Sequence, residues 1–206
     1  MRSIILAFLI LIYSSGSAQA TTVLVLGDSI SAAFGLLEEE GWVHLAEKQL
    51  RETNTEIQFV NASISGDTTA GGLRRLPAAL SRFEPDIVLI ELGGNDGLRG
   101  YPIHAMQDNL ESMVELIEAA DAKALIAGMR IPSNYGAAYT EKFFDAFQLA
   151  AQNTGADLLP FILEPIATER SYFQRDGVHP TAEAQPLLAA HVIETLQNLL
   201  DTEPGK

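Results

Sequence analysis

The chain reads as an α/β fold: a parallel sheet covered by helices on both faces, in three layers. Three observations predict it. Short apolar runs rich in β-branched residues alternate with stretches of helical period. The runs are mostly apolar, the first (TVLVL) and third (IVLIEL) nearly without interruption, as strands buried on both faces are. Clusters of small and polar residues follow the runs, in the places where a parallel sheet gathers its loops.

The elements follow in order. Arg2, the apolar run Ile4–Tyr13 and the closing Ala18-Gln19-Ala20 have the layout of a secretory signal peptide, expected to be cleaved after Ala20. A membrane-spanning helix needs about 20 apolar residues, more than this run supplies. The first strand is expected at Thr22–Leu26, and a helix over Gly41–Glu52, where Trp42, Leu45, Ala46 and Leu50 share a face. Ile57–Asn61 is the second strand and Ile87–Leu92 the third and clearest. Met106, Leu110, Met113, Val114 and Ile117 mark a helix over Ile103–Ala120. A fourth strand at Ala124–Met129, a helix over Tyr139–Gln152 and a short fifth strand at Asp157–Leu159 come next. Ala182–Leu200 is the last helix, with Thr181 placed to cap it. Strand–helix alternation implies right-handed crossovers and a single domain over 21–206.

Composition narrows the function. The 206 residues are 47% hydrophobic and 19% charged, a globular balance. Thirteen basic residues against 27 acidic ones give a net charge of −14, which disfavours nucleic acid as a partner. With no cysteine, a thiol nucleophile and a thiolate zinc site are excluded. No spacing of the H-E-x-x-H kind is present, so no metal is expected.

The chemistry lies in four clusters. Gly27-Asp28-Ser29-Ile30-Ser31 follows the first strand, Asn61–Thr68 the second and Gly93-Gly94-Asn95-Asp96 the third. Asp176-Gly177-Val178-His179-Pro180 precedes the last helix. A serine hydroxyl attacks a carbonyl only when a base removes its proton, and a carboxylate holds that base in the right tautomer. Ser29, His179 and Asp176 supply these types, and the three-residue spacing of Asp176 and His179 suits one tight turn. The oxyanion formed on attack needs preorganised donors. The candidates are the N–H of Ser29, the N–H of Gly66 and the side-chain amide of Asn95. The G-x-S-x-G elbow of α/β-hydrolases is absent, because position 31 is serine.

These four blocks resemble the SGNH (GDSL) hydrolases, whose Ser, Gly, Asn and His would be Ser29, Gly66, Asn95 and His179, with Asp176 as the acid. The segments NASISGDT, ELGGNDGLRG and DGVHP are similar to those of bacterial multifunctional esterases, and the likeness covers nearly all of 21–200. Ile30 replaces a commoner leucine. The resemblance implies a flavodoxin-like five-stranded sheet and an open site without cofactor. It implies small-molecule acyl esters, aryl esters, thioesters or lysophospholipids as substrates. With the signal segment it implies the periplasm, and a monomer is the default. Three rivals stand beside it. They are an exported carbohydrate-ester deacetylase, an inactive lipid-binding protein and a metal-dependent phosphoesterase.

Other residues receive plain readings. His44, His104 and His191 lie in helical patterns and are structural. Asp28, Asp67 and Asp96 brace loops and caps, and Asp28 orients the turn of the nucleophile. Glu38-Glu39-Glu40 suits the positive end of the helix that follows. Pro132–Gly136 is a turn-rich loop after the fourth strand; its sequence fits a plain loop equally well, and the resemblance implies that it lines the acyl site. Thr69–Leu76, with adjacent Gly71 and Gly72, is expected to be a mobile loop that gates the acyl group.

Overall fold

A computed structural model describes residues 20–53 and 56–201. The expected signal segment lies outside them except for Ala20. Five strands form one parallel sheet in the order β2-β1-β3-β4-β5. They are β1 (Thr21–Gly27), β2 (Ile57–Asn61), β3 (Ile87–Glu91), β4 (Lys123–Ala127) and β5 (Asp157–Leu159). Every residue of β3 is buried, the apolar Ile87–Ile90 and the charged Glu91 alike, as befits a central strand. This is the flavodoxin-like sheet that the resemblance implied.

Six α-helices among the described residues flank it: α1 (Trp42–Glu52), α2 (Thr69–Phe83), α3 (Gly94–Leu98), α4 (Ile103–Glu118), α5 (Ala137–Thr154) and α6 (Gln185–Asp201). Helix α1 packs on α6, and α4 lies between α2 and α5, which makes the two outer layers. The predicted face of α4 is the buried one: Met106, Leu110, Met113, Val114 and Ile117 all enter the core. No helix among the described residues is long and apolar enough to cross a membrane.

Two expectations are corrected. Thr69–Leu76 is not a loop but the first half of α2. The Thr68 hydroxyl caps this helix by accepting from Gly71 N–H at 3.2 Å. Gly71 and Gly72 are buried packing positions: an added Cβ would strike Asp67 Oδ1 at the first and Leu92 Cδ1 at the second. Glycine here allows close approach rather than motion. The last helix begins with a 3-10 turn at Ala182–Ala184. Thr181 stands at its cap with extended backbone but makes no side-chain capping bond.

The chain leaves β1 for one side of the sheet and returns through β3 to the other. The topological switch point therefore lies between β1 and β3, where ligand sites form beyond the carboxyl ends of the strands.

Candidate active site

At that switch point the register sets Glu91 of β3 opposite Gly27 of β1. Glu91 is fully buried. Its Oε2 accepts from Asp28 N–H at 3.1 Å, from Ser31 N–H at 3.2 Å and from the Ser31 hydroxyl at 2.6 Å. One carboxyl oxygen thus grips the backbone on both flanks of Ser29. At Gly27 the fit is too close for any side chain: a Cβ there would lie 2.7 Å from Glu91 Oε2 and from Ser63 Oγ. The backbone then turns sharply, with Ala32 N–H donating to Asp28 C=O at 3.0 Å and Phe34 N–H to Ser29 C=O at 3.1 Å.

Asp28 extends the grip. It is 2% exposed, its Oδ1 accepts from Ile30 N–H at 3.0 Å, and its Oδ2 accepts from Asn95 Nδ2 at 2.8 Å. Burial is the main cause that raises the Asp28 carboxyl above its ordinary value. Glu91 is raised well above the usual carboxylate range by burial first and by the neighbouring Asp28 second. In both, desolvation penalises the charged form and outweighs the hydrogen bonds that favour it.

The Asp176–His179 turn approaches from the far end of the chain. Asp176 Oδ1 accepts from Val178 N–H at 2.9 Å and from His179 N–H at 3.0 Å. Its Oδ2 lies 2.7 Å from His179 Nδ1, and His179 Nε2 lies 2.9 Å from Ser29 Oγ. The carboxylate must accept, so Nδ1 carries the proton and Nε2 is free to take the one on Ser29. The hydrogen bond from His179 is the largest cause that holds the Asp176 carboxyl down to about 2. The Phe34 ring packs on the imidazole, with centroids 4.3 Å apart. Gln174 ties the two halves together, donating through Nε2 to Phe34 C=O at 2.8 Å and to Pro180 C=O at 3.0 Å.

The three oxyanion candidates are placed differently. Asn95 stands in the first turn of α3. One of its amide protons goes to Asp28, which leaves the second for a ligand. The N–H groups of Ser29 and Gly66 make no hydrogen bond among the described residues. Gly66 turns the chain at φ +78°, a left-handed conformation suited to glycine. It does not line the cavity. It is bound to the site through Arg99, whose Nη2 donates to Gly66 C=O at 2.9 Å and reaches Asn95 Oδ1 at 3.5 Å.

Ser29, Asn95 and His179 open into a cavity of about 300 Å³, walled by Met129, Ile131, Pro132, Phe161, Leu163 and Phe173 among others. Of the loop 132–136 only Pro132 lines it; Ser133–Tyr135 form a 3-10 turn outside the lining. The three acids brace loops as read. Asp67 accepts from Arg75 Nε at 2.8 Å, and Asp96 accepts from the N–H and hydroxyl of Thr69 at 2.9 and 2.7 Å. His44 and His104 are exposed on α1 and α4, and His191 bonds the Phe161 carbonyl at 3.1 Å. Glu91, Gln174 and Arg99 received no role from the sequence. Glu91 alone carries a local signal, as the single charged residue of an otherwise apolar central strand.

Residues 25–186 match the GDSL-like Lipase/Acylhydrolase family. The chain is 46% identical over 201 residues to "Esterase TesA" of Pseudomonas aeruginosa, covering 97% of this chain and 100% of that one. It is 39% identical to "Thioesterase 1/protease 1/lysophospholipase L1" of Escherichia coli K12, over 90% of this chain and 88% of that one. A crystal structure of a psychrotrophic esterase, EstA from Pseudoalteromonas sp., inhibited by monoethylphosphonate, superposes with a TM-score of 0.85. It is 42% identical, over 88% of this chain and 100% of that one. With the match spanning most of the chain, the resemblance read from the four blocks holds: the protein belongs to the GDSL-like Lipase/Acylhydrolase family and is an ester hydrolase.

Proposed function

We propose that the chain hydrolyses acyl esters and thioesters, lysophospholipids and aryl esters among them, through an acyl-enzyme on Ser29. The observation that carries this reading is the continuous relay from Asp176 Oδ2 to His179 Nδ1 at 2.7 Å and from His179 Nε2 to Ser29 Oγ at 2.9 Å. Names of the relatives, an esterase and a thioesterase/lysophospholipase, support the substrate class. So does the apolar lining of the cavity, which suits an acyl chain better than an acetylated sugar.

His179 takes the Ser29 proton as Oγ bonds to the carbonyl carbon, and Asp176 stabilises the imidazolium. Negative charge gathers on the carbonyl oxygen, facing the N–H groups of Ser29 and Gly66 and the second amide proton of Asn95. The tetrahedral species collapses, and the alcohol or thiol departs with the proton from His179. Water then attacks the acyl-enzyme, giving its proton to His179, and Ser29 recovers that proton as the acid leaves. No cofactor or metal enters.

The test is hydrolysis of p-nitrophenyl esters from acetyl to palmitoyl, with EDTA as a control. Ser29→Ala is expected to lower kcat roughly 10³-fold or more, and EDTA to change nothing. A near-normal rate in Ser29→Ala, or loss of the activity with EDTA, sinks the assignment. We infer further that 1–20 is a cleaved export signal and that 21–206 works as one monomeric unit in the periplasm. The charged start, apolar run and Ala18-Gln19-Ala20 support this. N-terminal sequencing of the periplasmic protein should begin at Thr21.

A further inference from the structure

The two backbone donors of the oxyanion hole come from different loops, Ser29 N–H after β1 and Gly66 N–H after β2. They serve one oxygen only if those loops keep a fixed spacing. Arg75 of α2 joins the two loops. Its Nη2 donates to Gly27 C=O at 3.2 Å, its Nη1 to Ala62 C=O, and its Nε to Asp67 Oδ2 at 2.8 Å. One guanidinium thus holds the last carbonyl of β1, the residue just past β2 and the residue after Gly66. The Gly27–Asp28 peptide is fixed at both ends. Its carbonyl accepts from Arg75 and from Ile64 N–H at 3.0 Å, and its N–H donates to Glu91 Oε2 at 3.1 Å. The plane of this peptide sets the direction in which the chain enters the turn at Ser29. On the other loop, Asp67 is held by both oxygens, since its Oδ1 accepts from Thr68 N–H at 2.9 Å. Gly71, one turn before Arg75, makes room for that carboxylate: an added Cβ would strike Asp67 Oδ1. The Arg75 and Asp67 side chains are only 21% and 14% exposed, so water and salt screen their ion pair little.

We propose that Arg75 is a positioning residue for catalysis: its planar fork sets the spacing between Ser29 N–H and Gly66 N–H, and so the fit of the oxyanion hole to the tetrahedral intermediate. This rests on the serine-hydrolase reading above. The donors of a guanidinium point in fixed directions within one plane, so three acceptors bound to it are fixed relative to one another. A lysine keeps the charge and loses that geometry. Arg75 touches neither substrate nor His179 and acts only through the two loops.

Arg75→Met and Arg75→Lys are assayed on p-nitrophenyl octanoate. Working sites are counted by the final extent of labelling with a p-nitrophenyl alkylphosphonate, so misfolded protein drops out. In Arg75→Met, kcat per labelled site should fall about 10²-fold, the cost of a displacement of about 1 Å at a reacting centre. KM should stay within about twofold of wild type, because the loss falls on the transition state. Octyl trifluoromethyl ketone forms an oxyanion on Ser29, and its affinity should weaken by the same factor as kcat/KM. The pH profile of kcat/KM should not move, because the Asp176–His179 pair is untouched. Arg75→Lys should recover melting temperature more than rate. A normal kcat per labelled site in these variants, whatever their melting temperatures, would make Arg75 structural only and overturn the proposal. So would a loss carried by KM, a loss of rate that spares ketone affinity, a shifted pH profile, or full recovery of rate in Arg75→Lys. If Arg75→Met gives no labelled sites, Arg75→Lys carries the same test with a smaller fall. A wild type that neither cleaves the ester nor binds the ketone would instead remove the serine-hydrolase reading itself.

Discussion

The two halves of the site are held in opposite ways. Ser29 sits in a turn gripped from the fully buried Glu91 and braced through Asp28 to Asn95. Asp176 and His179 ride a turn near the surface, where the Asp176 side chain is 41% exposed and the His179 side chain 18%. The first half is made by strand register and belongs to the core. The second is made by one local turn and tied back by a few side-chain bonds, chiefly from Gln174. Damage to the exposed half should therefore lower rate and leave the fold standing, whereas damage to the buried half should lower both.

His179→Ala should show the largest effect on rate, a fall in kcat of roughly 10³-fold or more with little change in Tm. Asn95→Ala should lower kcat about 10²–10³-fold through the lost oxyanion donor, with KM nearly unchanged. A comparable rise in KM would make Asn95 a substrate-binding group instead. Glu91→Ala strips three donors of their acceptor and should destabilise by roughly 3 kcal/mol or more in denaturant titration, with kcat falling too. Glu91→Gln keeps an acceptor and should recover most of that stability. Equal destabilisation by both would mean that Glu91 acts as a charge.

The halves should also respond to pH with opposite sign. Glu91 and Asp28 are raised, so the folded chain holds protons that the unfolded chain releases. Their contribution is full below the ordinary carboxylate range and is lost as pH rises toward the raised values. Asp176 is depressed to about 2, so its contribution is full above the ordinary range and is lost as pH falls toward about 2. In thermal unfolding scanned across pH, Glu91→Gln should flatten the decline on the alkaline side and Asp176→Asn the decline on the acid side. The smallest effect belongs to Gln174→Ala, about 1 kcal/mol or less of stability and a several-fold fall in kcat, because only the tie between the halves is lost.

The same contrast explains what the sequence made legible. Short β-rich, mostly apolar runs located all five strands, and period 3.6 located α1, α4, α5 and α6 to within a few residues. Ser29, Asn95, Asp176 and His179 were legible because each carries its chemistry in a short block at a strand or helix end. Helix α2 was hidden, since Gly71, Gly72 and Pro77 all argue locally against a helix. The close approach to Asp67 and Leu92 that makes glycine right at 71 and 72 is a tertiary fact. Glu91 was hidden in part, because its function comes from the register that sets it opposite Gly27. Gln174 and Arg99 make their contacts across long sequence separations, which no local pattern encodes.

The central claim is that Ser29 attacks with His179 as its base, and covalent labelling tests it most directly. The mature protein is treated with a p-nitrophenyl alkylphosphonate, and the adduct is located by intact-mass and peptide mass spectrometry. The account predicts one adduct per chain, on Ser29, absent in Ser29→Ala and formed far more slowly in His179→Ala. An adduct on another residue, or labelling of Ser29→Ala at the wild-type rate, would contradict it.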